Sequence, residues 1–131
     1  MQPYPDQLIT AGKSPKNFGD LPGATHTHTQ HNAFCGDTLH ISLIVSDGHI
    51  ERSAFTGQGC LLCMASASIM TQHLQGRAVE SALHLSEVVQ HQNTHASDDV
   101  RALIDARKIA GRAMCVKLPW LAVDKLLTGG H

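Results

Sequence analysis

The chain has 131 residues, of which 42% are hydrophobic, and this length and composition fit a single domain with its own core. A formal net charge of −1 gives no electrostatic reason to expect a nucleic acid or an anionic membrane as a partner. No apolar run approaches the ~20 residues of a membrane span. The first residues lack the basic start and apolar core of a signal peptide, so we expect none. We therefore expect a cytoplasmic protein, whose four cysteines are metal ligands or catalytic thiols before they are disulfides.

The first thirty residues are polar and interrupted by proline and glycine. They predict a short helix over residues 6–12, then a turn, and then a loop over residues 21–30. Three histidines lie close together at the end of this loop: His26, His28 and His31. Metal binding is one interpretation of them. A solvated loop is the favoured one, because alternation with threonine fixes no geometry.

A β-hairpin is predicted next. Residues 38–46 alternate apolar and polar side chains, which is typical of a strand with one buried face. Asp47 and Gly48 follow, and this pair is a strong hairpin signal because both central residues of a type I′ turn need positive φ. The second strand is predicted over residues 49–55. The expected cross-strand partners are Val45 with Ile50 and Ile41 with Ala54.

The rest of the chain is helical by pattern. The glycine-rich residues 55–60 lead into an apolar run, which predicts a buried helix ended by Gly76 in a left-handed conformation. Residues 97–99 offer an N-cap to a later helix, and Pro119 is expected in the first turn of the last one. The predicted helices span residues 61–75, 79–90, 100–109 and 115–127.

Strands followed by helices predict an α+β fold, with several helices packed on one face of a small antiparallel sheet of about three strands. No internal repeat or long linker divides the chain, so we expect one domain over residues 1–131.

The sequence Cys35-Gly36-Asp37 carries a thiol and a carboxylate on one tight bend, where they can turn inward together. Cys60 and Cys115 are each expected at a helix start, where the unpaired N–H groups and the helix dipole favour the thiolate. The sequence therefore predicts that these three cysteines and Asp37 converge on one metal, and that Cys35 also does chemistry. Three thiolates and a carboxylate suit tetrahedral Zn²⁺, and a 2Fe–2S cluster is an alternative with the same ligands.

Three further features of the sequence have alternative interpretations. Cys60-x-x-Cys63 invites a thioredoxin-type redox interpretation, but that motif belongs to a βαβ unit, so a small buried Cys63 is favoured. Arg112 either stabilises nearby thiolates or docks an acidic partner, or it is a surface residue flanking a helix. Trp120 is expected to anchor the last helix in the core rather than to form a docking surface. Four histidines fall on helices or loops without a partner pattern in the sequence, and each is expected to be a surface residue rather than a ligand: His73, His84, His91 and His95.

Several motifs together resemble those of one family. They are Ser-Pro-Lys-Asn-Phe-Gly at residues 14–19, the segment 32–37 that ends in Cys-Gly-Asp, Phe-Thr-Gly-Gln-Gly-Cys at residues 55–60, and Ala-Ser-Ala-Ser at residues 65–68. With them the chain resembles, over nearly its whole length, the NifU N-terminal/IscU-like family of iron–sulfur cluster assembly proteins.

Within that family the chain is most similar to the SufU branch. Arg-Ala-Met-Cys at residues 112–115 precedes Leu-Pro-Trp, the segment between residues 60 and 115 is extended, and a Leu-Pro-Pro-Val-Lys chaperone motif is absent. Two positions depart from the family pattern: Ala33 stands where proline is usual, and Cys63 stands where serine is usual.

The resemblance implies a SufE/NifU-like fold and zinc held by Cys35, Asp37, Cys60 and Cys115, with Arg112 near a partner surface. It implies that Cys35, once freed from the metal by ligand exchange, takes persulfide sulfur from a cysteine desulfurase of the SufS type. Further partners would be downstream iron–sulfur assembly proteins. The protein would then be a sulfurtransferase-like sulfur carrier rather than a free-standing enzyme. The alternative is a scaffold on which a 2Fe–2S cluster, or iron, is bound and passed to apo-proteins.

Overall fold

A computed structural model describes residues 4–32 and 36–129. In this part of the chain the strands form an antiparallel sheet in the order β1-β2-β3, and the helices pack against it. The predicted α+β fold is confirmed. No helix in the described ranges is long and apolar enough to cross a membrane. The elements in chain order are α1 (Asp6–Lys13), β1 (His26–Asn32), β2 (Asp37–Ser46), β3 (His49–Gln58), α2 (Leu61–Leu74), α3 (Val79–His91), α4 (Asp98–Arg107) and α5 (Ala113–Thr128).

The predicted hairpin forms between β2 and β3. Asp47 (φ 52°) and Gly48 (φ 77°) both have positive φ, as a type I′ turn requires. Val45 pairs with Ile50 next to the turn, as predicted. The second strand continues through the glycine-rich residues to Gln58, three residues beyond the predicted end.

A β-bulge shifts the register farther from the turn. Glu51 has no partner in β2, because the residues on either side of it pair with consecutive residues of that strand. Ile41 consequently lies opposite Phe55, and the predicted pair with Ala54 is wrong by one residue. The extra residue allows Ile50 and Phe55, which are five positions apart, both to be fully buried.

The predicted loop over residues 21–30 is wrong, because His26–Asn32 form the edge strand β1, antiparallel to β2. A strand can form here without apolar side chains, because main-chain hydrogen bonds hold it to β2. The alternation of threonine with histidine has the two-residue period of a strand. His26 and His28 are half-buried on the face that α5 covers, whereas His31 is exposed on the other face. The three histidines therefore do not form one cluster.

Helix α2 is at the centre of the core, as its apolar sequence predicts, and it contacts α1, α5 and β3. The contact with α1 is close: a Cβ atom added to Gly12 would lie 2.4 Å from the Leu61 carbonyl oxygen. Gly76 follows the helix with φ 82°, so its predicted left-handed conformation is confirmed.

Helix α5 begins at Ala113, two residues before the predicted start, so Pro119 lies in the second turn rather than the first. Ser66 of α2 supports the helix here. Its Oγ donates to the Val116 carbonyl (2.7 Å) and accepts from Trp120 Nε1 (3.0 Å). Trp120 is fully buried, which confirms its predicted role as a core anchor.

Candidate metal centre

Three of the predicted ligands lie together. One ligand atom each of Asp37, Cys60 and Cys115 lies within 4.8 Å of the others. We call these three residues the ligand group; within residues 4–32 and 36–129 no other set of three or more His, Cys, Asp or Glu side chains is close enough to hold a metal. Cys35, the fourth predicted ligand, falls outside the described residues.

Each member of the ligand group is placed by the start of a different element. Asp37 is the first residue of β2, and Cys60 is the N-cap of α2 in an extended conformation (φ −66°, ψ 167°). The Cys60 Sγ accepts a hydrogen bond from the backbone N–H of Cys63 (3.4 Å), as N-cap side chains do. Cys115, the predicted first residue of the last helix, is instead the third residue of α5 and lies within its first turn.

The residues present fit a metal ion. Asp37 is only 6% exposed, and its Oδ2 is buried with no hydrogen-bond partner in the described part of the chain. A carboxylate oxygen buried without a partner is costly, and a bound cation would remove that cost. Two sulfur atoms and one oxygen are donors that Zn²⁺ accepts.

Gly59, which sequence reasoning did not single out, allows this close packing. A Cβ atom there would lie 3.0 Å from Cys63 Sγ and 3.5 Å from Asp37 Cγ. The signal that could have identified it is its position immediately before Cys60 in the glycine-rich segment.

The members of the ligand group repel one another when they are ionised, and the effect is largest on Cys115. Burial first, and then the neighbouring Cys60 and Asp37, together raise the pKa of the Cys115 thiol to about 12. A hydrogen bond with Arg112 opposes it in part. Without a cation, therefore, the Cys115 thiol is protonated at neutral pH, and a metal must displace that proton to bind.

Arg112 is the exposed N-cap of α5, directly beside the ligand group. Its pKa is raised by the charge of Tyr4 first, and then by Cys115 and Cys60. The first interpretation of Arg112, support of the thiolates, fits this position, and its exposure leaves the guanidinium accessible to a partner. Tyr4, which the sequence did not single out, is a further neighbour of the site.

The other predicted side chains lie apart from the ligand group. Cys63 is fully buried in α2, as favoured, and its Sγ is not among the clustered ligand atoms. His84 and His91 are exposed, as expected. His73 and His95 are half-buried rather than exposed. The Nε2 of His73 lies 2.9 Å from Asp99 Oδ1 and joins α2 to α4, and the Nδ1 of His95 accepts from the Ser97 N–H (3.0 Å).

Known proteins match this chain over most of its length. A family model described as the NifU-like N-terminal domain matches residues 3–113. The "Zinc-dependent sulfurtransferase SufU" of Bacillus subtilis (strain 168) is 31% identical over 129 residues, which cover 93% of this chain and 87% of that protein. The "Iron-sulfur cluster assembly scaffold protein IscU" of Thermotoga maritima is 28% identical over 130 residues, covering 95% and 92%.

The fold is also shared with solved structures. The crystal structure of the SUF-system protein FiSufU from Fervidobacterium islandicum AW-1 superposes with a TM-score of 0.84 at 22% identity, and the match covers 95% of this chain and 96% of that one. The sequence motifs, the fold and the family match agree. The chain belongs to the NifU-like N-terminal family, whose relatives include the SufU and IscU proteins of iron–sulfur cluster assembly.

Proposed function

We propose that this protein is a zinc-dependent sulfur acceptor of iron–sulfur cluster assembly. In this proposal Cys35 takes the sulfane sulfur of a cysteine desulfurase of the SufS type and passes it to downstream assembly proteins. The observation that carries the proposal is the convergence of Asp37, Cys60 and Cys115 at one point, with a buried carboxylate oxygen that has no hydrogen-bond partner among the described residues.

The covalent chain supports Cys35 as the fourth ligand. Asn32 pairs with Asp37 across β1 and β2, and the Gly36 N–H donates to the Asn32 carbonyl (2.8 Å). The ends of the short segment that contains Cys35 are thus fixed beside the ligand group. Two peptide units limit the distance between the Cα atoms of Cys35 and Asp37 to about 7 Å, so the thiol is within reach of the other ligands.

When bound, zinc would stabilise the thiolate form of the cysteines that hold it. The residues that would hold it are Cys35, Asp37, Cys60 and Cys115. Cys115 is only 2% exposed, so a thiol on a partner protein cannot reach it. Cys60 is half-buried at the start of α2. These two cysteines therefore suit the role of permanent ligands, and Cys35 suits that of the reactive thiol.

The transfer step is a thiolate exchange. The Cys35 thiolate attacks the outer sulfur of the desulfurase persulfide, an S–S bond forms on Cys35, and the desulfurase cysteine leaves as a thiolate. Arg112 is exposed beside the ligand group and offers a positive charge to the incoming anionic persulfide. That the Bacillus subtilis relative is named a zinc-dependent sulfurtransferase supports this assignment.

A scaffold for a 2Fe–2S cluster is the second candidate. The same set of three thiolates and one carboxylate can hold such a cluster, because ligation by cysteine together with other residues is known for 2Fe–2S centres. The relative from Thermotoga maritima, which is named a scaffold protein, favours this candidate.

One experiment separates the two candidates. The untagged protein is purified anaerobically, its zinc and iron are measured, and it is added with cysteine to a SufS-type desulfurase. We expect about one zinc per chain, increased desulfurase turnover and a persulfide mapped to Cys35. The Cys35→Ser variant should not stimulate the desulfurase, whereas Cys63→Ser should stimulate it as the wild type does.

Iron with acid-labile sulfide and no stimulation would support the scaffold instead. Absence of both metals would contradict the shared ligand set on which both candidates depend.

A further inference from the structure

The proposed transfer leaves the Cys60-x-x-Cys63 pair unexplained. Cys60 is half-buried at the N-cap of α2, and Cys63 is fully buried one turn later. The backbone N–H of Cys63 donates to Cys60 Sγ (3.4 Å), so the two residues occupy the same turn. Two cysteines at the N-cap and third positions of a helix have the spacing of an oxidisable dithiol, although an antiparallel sheet rather than a βαβ unit precedes this helix.

The Cys63 thiol also borders the ligand group. A single atom added at Gly59 would touch both Cys63 Sγ (3.0 Å) and Asp37 Cγ (3.5 Å). Asp37 is itself more than nine-tenths buried, and its Oδ2 has no partner in the described ranges. Cys63 therefore lies next to the candidate metal centre, but its Sγ is not one of the clustered ligand atoms.

We propose that Cys60 and Cys63 form a disulfide when the protein meets a low-molecular-weight disulfide of the glutathione class, and that this bond removes Cys60 from the metal ligands. The disulfide is a modification site independent of sulfur transfer. Its effect on zinc rests on the proposed function.

The difference in burial assigns the order of the steps. The half-buried Cys60 thiolate attacks one sulfur of the external disulfide (RSSR), which yields a mixed disulfide on Cys60 and one RS⁻ ion. Cys63 then attacks the Cys60 sulfur, and its proton passes to the second leaving thiolate, which departs as RSH. The two protein thiols are oxidised by two electrons, and the external disulfide is reduced by the same two.

A disulfide sulfur carries no thiolate charge and is a poor zinc ligand, since the thiolate is the metal-binding form. After oxidation the centre would keep Asp37 and Cys115, with Cys35 from the adjoining segment. Three ligands hold zinc less tightly than four, so the metal is expected to leave. Cys63 would thus make metal binding at the other three cysteines sensitive to the thiol–disulfide balance of the cell.

The test follows zinc release and disulfide formation together. Zinc-loaded protein is mixed anaerobically with oxidised glutathione, a chromogenic chelator reports free zinc, and mass spectrometry maps the disulfides. The mixture also contains reduced glutathione, which returns a glutathione adduct on Cys60 to the free thiol. We expect the wild type to form the Cys60–Cys63 bond and to release zinc roughly tenfold or more faster than Cys63→Ser, because Cys63 is already held beside Cys60 and captures the adduct before it is reversed. Cys63→Ser should show only the reversible glutathione adduct on Cys60.

Equal zinc-release rates in the wild type and Cys63→Ser, or a disulfide formed by another cysteine pair, would overturn the proposal. Cys63→Ala provides a second variant if serine disturbs the buried position. Metal content and desulfurase stimulation of the reduced wild type test the proposed function separately. If that protein holds no zinc, disulfide mapping of the metal-free chain still decides whether the dithiol forms.

Discussion

Cys115 lies in the first turn of α5, where burial, Cys60 and Asp37 all oppose its ionisation. The pKa of this thiol, about 12 without a cation, means that it is protonated at pH 7. We therefore predict that zinc binding releases at least about one proton per metal at pH 7. Calorimetric titrations in buffers of different ionisation enthalpy measure this number.

The Cys115→Ser variant is the matched control, and it should release fewer protons while binding zinc more weakly. A binding enthalpy that is the same in every buffer would contradict the prediction.

Asp99 illustrates a titration that acts on stability rather than on metal binding. Burial raises the pKa of this carboxyl, but hydrogen bonds from Ser97 and His73, together with the charge of His73, outweigh that effect and lower the pKa overall. Because the pKa of this carboxyl is lower in the folded state than the unfolded value of 3.8, its ionised form stabilises the fold at every pH above 3.8. This stability is lost as the pH falls through the folded pKa.

We predict that Asp99→Asn lowers the free energy of unfolding by about 1 kcal/mol at pH 7, since the partly exposed hydrogen bonds of its carboxylate contribute about that much. The difference from the wild type should shrink below about pH 4. Denaturant unfolding at pH 7 and at pH 3.5 measures both values. Asp98→Asn, on the same helix but largely exposed, is the control; a loss for Asp99→Asn that is unchanged at low pH would contradict the assignment.

At the scale of elements, α1 and α2 are so close at Gly12 that no residue with a Cβ atom fits there without a shift. Intrinsic helix propensity predicts that Gly12→Ala stabilises the protein by about 1 kcal/mol. The added Cβ would, however, lie 2.4 Å from the Leu61 carbonyl oxygen, which belongs to the backbone and cannot rotate away.

We therefore predict that Gly12→Ala lowers the free energy of unfolding by about 1–3 kcal/mol. Thr10→Ala, at an exposed position of the same helix, is the control and should be neutral or slightly stabilising. Thermal or denaturant unfolding of the two variants checks the sign, and a stabilised Gly12→Ala would show that the two helices are free to separate.

The elements also show how far sequence patterns reach. The long apolar helix α2 and the hairpin turn were predictable because their signals are local: a run without breakers, and an Asp-Gly pair. Strand β1 was not, because its pairing is with a distant main chain and its side chains are polar on both faces. The bulge at Glu51 and the early start of α5 likewise depend on packing. Packing places Ile50 and Phe55 in one core, and it sets Ser66 of α2 against Val116 and Trp120 of α5.

In the whole molecule, the ligand group joins β2 to the first turns of α2 and α5. A metal that binds only the folded chain stabilises it by mass action, by about 2.7 kcal/mol at a free concentration one hundred times Kd. We predict that chelation lowers the Tm and that zinc restores it. Calorimetry with and without chelator measures the change. Cys60→Ser, which keeps three of the four proposed ligands, should show a smaller increase in Tm with zinc, whereas Cys63→Ser should respond as the wild type does.

At the candidate metal centre, the sequence patterns predicted the convergence of Asp37, Cys60 and Cys115. The signals were local: a thiol and a carboxylate two residues apart, and cysteines at two helix starts. The fourth predicted ligand, Cys35, falls outside the described residues. The sequence could not show that Gly59 leaves room for Cys63 beside Asp37, because that contact joins α2 to the start of β2. Nor could it show that Tyr4 lies close enough to influence Arg112.

We propose that three cysteines and one aspartate hold a single zinc ion. X-ray absorption at the zinc edge, on the reduced, untagged protein loaded with one equivalent of zinc, identifies the ligand atoms. We expect three sulfur neighbours at about 2.3 Å and one oxygen at about 2.0–2.2 Å, with Asp37→Ala changing only the oxygen. Four sulfur neighbours would place Cys63 among the ligands in place of Asp37. A histidine nitrogen in the first coordination sphere would contradict the site altogether.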